Sequence, residues 1–129
     1  RAKLIFIDCE DNLGLIKTVL DEVGVSFKGR KNKIKFYWNN QLIELKFLSK
    51  RIEHYLQKGK GFDVYFERAF RLMRDDISGY EDKIISLLNE GGVLISDTGF
   101  IDKELEYVDI PKNLSSYEEM VLGIKKNKE

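Results

Sequence analysis

Asp8, Glu10, Asn12 and Gly14 end a short apolar run, Leu4 to Ile7, and open a helical one. At the C-terminal edge of a strand, Asp8 and Glu10 would floor a polar pocket. The first free helix amides, around Asn12 to Gly14, would face a ligand carboxylate. Glu67 and Arg68 follow the strand-like stretch Phe62 to Phe66, where active-site residues tend to lie, and Arg68 is in position to grip a phosphate or carboxylate with two parallel bonds. Asp97, with Thr98 and Gly99, ends the next apolar stretch, where it would contact a substrate base or a cofactor. A different chemistry is offered by Lys28, Arg30, Lys31, Lys33 and Lys35, five positive charges within eight residues. Phe36, Tyr37 and Trp38 follow directly. Cations beside aromatics suit RNA, whose phosphates take the charge and whose unpaired bases stack on rings. On this reading Arg30, Lys31 and Lys33 are nucleic-acid contacts.

Composition narrows the chemistry. The 129 residues are 43% hydrophobic and 34% charged, an ordinary globular balance rather than a disordered one. Lys plus Arg and Asp plus Glu both number 22, so a polyanionic partner would have to be held by a local patch. One cysteine excludes an internal disulfide and a four-cysteine zinc site; one histidine excludes a two-histidine zinc motif. Cys9 reads as a packing residue and His54 as a polar helical one. No metal is expected. No apolar run reaches membrane-spanning length, so a cytoplasmic location is the default expectation.

The spacing of apolar residues predicts the elements that would hold these groups. Leu4 to Ile7 reads as a strand, and a helix follows from about Asn12 to Val23, stopped by Gly24. Lys28 to Lys33 reads as a basic turn and Ile34 to Trp38 as a strand ended by Asn39-Asn40. Leu42, Leu45, Leu48, Ile52 and Leu56 predict a helix from about Gln41 to Gln57. Phe62 to Phe66 is a third strand, and Ala69, Phe70 and Met73 suggest a short helix. Ser78 and Glu81 fit a capping box, opening a helix closed by Gly91-Gly92. Val93 to Ile95, Leu105 to Ile110 and Met120 to Ile124 complete the strands, the last two able to pair antiparallel. Strands alternating with helices imply one α/β domain over residues 1–129: a three-layer Rossmann-like fold with a mostly parallel sheet.

Phe62-Asp63-Val64 and Leu88-Asn89-Glu90-Gly91-Gly92-Val93-Leu94-Ile95 resemble the fourth strand and the helix–strand junction of class I S-adenosylmethionine-dependent methyltransferases. With Arg68-Ala69 after the strand, the nearest group is the small-subunit ribosomal RNA guanine methyltransferases. The resemblance implies S-adenosylmethionine as cofactor and methyl transfer to RNA. It places Asp8, Glu10, Asn12 and Gly14 in the cofactor loop, with Arg68 and Asp97 as active-site residues. Glu10 and Asn12 stand where the family has glycines, and Trp38 or Asn39 where it has the acid that holds the ribose. Those departures imply the alternative of a non-catalytic relative that binds a protein or nucleic-acid partner.

A third reading starts from Glu44-Leu45-Lys46. A Glu-x-Lys pair with an upstream aspartate is the core of one large nuclease group, where two acids hold magnesium and the lysine supports the attacking water. That chemistry requires the pair to lie on a strand. The spacing from Leu42 to Leu56 puts Glu44 and Lys46 on a helix surface instead.

Overall fold

The computed structural model describes residues 2–8, 13–49, 51–68, 74–101, 103–114 and 120–127. The chain divides into two compact units, Arg1–Tyr55 and Leu56–Glu129. The first is built from β1 (Ala2–Asp8), α1 (Leu13–Glu22), β2 (Phe27–Arg30), β3 (Lys33–Trp38) and β4 (Gln41–Ser49). Its four strands lie in the order β1-β4-β3-β2. β1 runs parallel to β4, and β2, β3 and β4 form an antiparallel meander.

One face of this sheet packs on α1. Leu20 of the helix is buried with Ile34, Leu45 and Phe47 of the strands, and Leu13, Ile16, Phe27, Phe36 and Ile43 pack around them. Phe6 stacks on Phe47 across the parallel pair, ring centroids 5.0 Å apart. The helix ends with Gly24 in the left-handed region, φ 75°, as its place after the apolar stripe implied.

The second unit contains β5 (Phe62–Glu67), α3 (Tyr80–Leu87), β6 (Leu88–Ser96), β7 (Leu105–Tyr107), a 3₁₀ turn at Lys112–Leu114, and β8 (Val121–Lys125). A short helix, α2 (Ile52–Leu56), precedes it. The sheet order is β5-β6-β8-β7. β5 and β6 are parallel; β6 with β8 and β8 with β7 are antiparallel. The buried side chains include Tyr80 and Ile84 of α3, Leu88 and Leu94 of β6, Phe100 and Leu105.

These two mostly antiparallel sheets overturn the expected Rossmann-like fold and its single parallel sheet. The decisive error lies in the expected helix from Gln41 to Gln57. Residues 41–49 form a strand, and helix is confined there to Ile52–Leu56. The apolar pattern satisfies both periods, because Ile43, Leu45 and Phe47 alternate while Leu42, Leu45 and Leu48 recur at three. The turn favours the strand, and pairing with β1 and β3 fixes it. Asn39 and Asn40 both have positive φ, 49° and 63°, the signature of a two-residue type I′ hairpin turn. With Trp38 paired to Gln41, the turn folds β4 directly back on β3.

The expected basic turn at 28–33 also resolves differently. Most of it is β2 and the start of β3, joined through Lys31 and Asn32. In the second unit the Ser78–Glu81 capping box does not form: Gly79 is the N-cap of α3 and no side chain caps it. Glu81 instead accepts the Phe100 N–H, at 3.1 Å from each carboxylate oxygen. Gly91-Gly92 does not close the helix either. α3 passes straight into β6, and Gly91 (φ 76°) lies where the β5–β6 register jumps from Phe62↔Leu88 to Val64↔Val93. The short helix suggested by Ala69, Phe70 and Met73 falls outside the described residues.

Candidate nucleic-acid interface

Strand alternation sorts the first unit's charges onto the sheet face opposite α1. Inward positions Ile34 and Phe36 alternate with Lys33, Lys35 and Tyr37; Ile43, Leu45 and Phe47 alternate with Glu44 and Lys46. Register then lines these residues into two rungs across the sheet. One runs Lys3, Glu44, Lys35, Lys28; the other runs Ile5, Lys46, Lys33, Arg30. Six cations therefore share a face with one carboxylate. Neighbours within a rung are about 5 Å apart, and the rungs are about 7 Å apart along the strands. Lys3, Lys28, Arg30, Lys33 and Lys35 are exposed, whereas Glu44 is only 4% exposed between its register neighbours Lys3 and Lys35.

The tip of the β2–β3 hairpin adds Lys31, whose backbone takes φ 57°. A lysine pays roughly 1–2 kcal/mol for that left-handed conformation. Asn32 holds the turn in place: its side-chain N–H donates to the Phe47 carbonyl at 3.0 Å, and its carbonyl accepts the Phe47 N–H at 2.9 Å.

The structure gathers Arg30, Lys31 and Lys33 at this one hairpin end. Lys3 and Lys46 join the same face, although neither belongs to the basic stretch of the sequence. Only strand pairing brings them there, and the signal available in the sequence was the Asn39-Asn40 hairpin turn. Of the expected aromatic partners, Tyr37 lies on the cationic face and Phe36 packs against the core.

Of the expected cofactor-loop residues, Asp8 and Gly14 are among those described. Glu10, Asn12 and Cys9 lie outside the described residues. Asp8 ends β1, and Gly14 lies inside α1 with open space where a Cβ would be. Arg68 and Asp97 follow the neighbouring strands β5 and β6 of the second unit, with Arg68 exposed. Glu44 and Lys46 do lie on a strand, as the nuclease reading requires. The upstream acid is far away: Lys3 sits beside Glu44, and Asp8 is five residues further along β1, about 17 Å on. Magnesium bonds its ligands at about 2.1 Å, so those two acids cannot share an ion. No group of three metal-binding side chains occurs among the described residues.

In the second unit, Glu67, a candidate beside Arg68 in the sequence, joins a polar network whose other members the sequence did not reveal. Glu67 and Arg74 form an ion pair with each side chain only 5% exposed. The Ser96 hydroxyl lies 2.6 Å from Glu67 Oε1, and the Tyr65 hydroxyl donates to Glu67 Oε2 at 2.9 Å. Tyr80 extends the chain, 2.7 Å from Tyr65. Burial raises the Glu67 carboxyl above the ordinary range, against the opposing pull of Ser96, Tyr65 and Arg74. Burial, with Tyr80 and Glu67 beside it, also keeps the Tyr65 phenol neutral. The Arg74 guanidinium lies over the Phe100 ring, 5.2 Å from its centre, and a Cβ on Gly99 would run into it.

An adjoining cleft of about 230 Å³ is lined by Arg74 and Lys103 on one side of the charge balance and Asp75, Glu81 and Asp82 on the other. Lys103 is already bound to Asp82 at 2.7 Å. Ligand pockets run from about 300 Å³ upward, so this cleft is small for a nucleotide cofactor. No helix among the described residues is long and apolar enough to cross a membrane. No protein-family model, curated protein or solved structure matches the chain.

Proposed function

We propose that the first unit binds nucleic acid through the cationic face of its sheet, with the phosphate backbone of RNA as the principal contact. The observation that carries this reading is the segregation of charge: six cations and one carboxylate share one face of a chain with equal numbers of acidic and basic residues. Like charges at inter-strand distance repel, and a hairpin that needed only solubility would mix signs. Phosphates relieve the repulsion and release counterions. Phosphate contacts hold a chain without reading its sequence, so the expected binding is general.

Methyl transfer loses its support with the parallel sheet on which it depended. The nuclease reading gains the strand it needs, but Asp8 lies too far along β1 to share an ion with Glu44.

Fluorescence anisotropy with a short single-stranded RNA, at about 50 and 200 mM salt, tests the proposal. Binding should weaken steeply with salt. Arg30→Glu with Lys33→Glu should weaken it across unrelated sequences and flatten the log–log salt slope by about 1.4, or about 0.7 per lost contact. Absence of binding at low salt, or binding indifferent to the double substitution, would refute it.

A further inference from the structure

The cationic face also bears on which form of nucleic acid it takes. Tyr37 stands on that face two residues beyond Lys35, opposite Leu42 of β4, and is 69% exposed. It is the most exposed aromatic side chain among the described residues. An exposed ring about 7 Å from a rung of cations is spaced to take a base while the cations take the adjoining phosphates.

A duplex cannot use this arrangement. Its bases are stacked inside, so no base face is available to the ring. The sheet cannot enter a major groove either. Four strands span three spacings of about 4.8 Å, some 14 Å before side chains are added, and the major groove of B-form DNA is about 12 Å wide. The major groove of an RNA helix is narrower still. A duplex could only lie across the lysines and leave Tyr37 without a partner.

Resting on the reading of this face given above, we infer that its ligand is single-stranded nucleic acid. The phosphates lie over the square formed by Lys28, Arg30, Lys33 and Lys35, and one base stacks on Tyr37. RNA and DNA share that chemistry, so both enter the test.

The full chain is titrated, at low salt, into a labelled short oligoadenylate RNA, its DNA counterpart, and the RNA annealed to its complement. Tyr37→Phe and Tyr37→Leu are compared with the unaltered chain. The unaltered chain should bind either single strand more tightly than the duplex. Tyr37→Phe should match it. Tyr37→Leu keeps apolar bulk without a π face, and should weaken single-strand binding about 5- to 150-fold, the range for one lost base–aromatic stack, with the salt slope unchanged. A 2-aminopurine in the oligonucleotide should lose fluorescence on binding and recover it in Tyr37→Leu. RNA bound tighter than DNA would mean that a 2′-hydroxyl is also read, within the same inference. A duplex bound as tightly as the single strands overturns the inference but leaves the cationic face standing. So does a Tyr37→Leu chain that binds both single strands like the unaltered one. Absence of binding to all three overturns both.

Discussion

Glu67 and Arg74 show how a buried ion pair constrains its surroundings. Breaking such a pair strands one charge in the interior, so Arg74→Met should cost about 3–5 kcal/mol at neutral pH, read from thermal melts. The penalty should shrink in acid, where Glu67 takes up a proton. Because burial raises the Glu67 pKa in the folded chain, its contribution to stability is fully present below the ordinary value of 4.5 and is lost as pH rises through the raised one. Relative to Glu67→Gln, the unaltered chain should therefore be favoured most in acid and progressively less toward neutrality. A stability difference that moves the other way would show that the partners outweigh burial. Lys31 offers a separate test, because its backbone conformation and its charge oppose each other. Lys31→Gly should raise stability by up to about 1 kcal/mol, by removing the left-handed penalty. The same change should weaken RNA binding, since a tip charge is lost.

At the scale of elements, two hairpin and helix ends determine how the strands meet. The Asn39-Asn40 turn sends β4 back along β3, and glycine at its second position suits the left-handed backbone better. Asn40→Gly should raise the unfolding free energy by about 0.5 kcal/mol in urea titrations. The C-terminus of α3 runs directly into β6, without a loop to satisfy its last carbonyls. Lys125 of β8 supplies the donors: its ammonium lies 2.6 Å from both the Ile85 and Leu88 carbonyls. That contact ties the helix end to a strand about forty residues away in sequence, and a cation there also meets the negative end of the helix dipole. Lys125→Met should lower stability by about 1–2 kcal/mol in the same titrations.

For the whole molecule, the equality of acidic and basic residues makes the distribution of charge matter more than its sum. Lys58 and Lys60 are exposed residues of the second unit. Reversing both changes net charge as much as reversing Arg30 and Lys33. If the sheet face is the binding surface, Lys58→Glu with Lys60→Glu, which removes none of its six cations, should cost less RNA affinity than Arg30→Glu with Lys33→Glu, which removes two phosphate contacts. An equal loss from either pair would mean that net charge, not the face, governs binding.

The sequence by itself determined the short-range features. α1 was legible because one apolar stripe at helical spacing and one stop glycine agree. β3, β5 and the edge pair β7–β8 were legible from apolar runs bounded by turn residues. The hairpin cations were visible because they are adjacent in the chain. Three-dimensional pairing decided the rest. Residues 41–49 fit either period, and their partners on both sides, β1 in parallel and β3 in antiparallel, chose the strand. A helix there would have left β1 without its neighbour and Leu45 and Phe47 outside the core. Lys3 and Lys46 reached the cationic face by register alone, and Arg74 met Glu67 only through the folding of the second unit. Local sequence specifies which way a side chain points along its own strand, but the partner strand is selected by burial and backbone hydrogen bonding across long chain separations. No single segment carries that information.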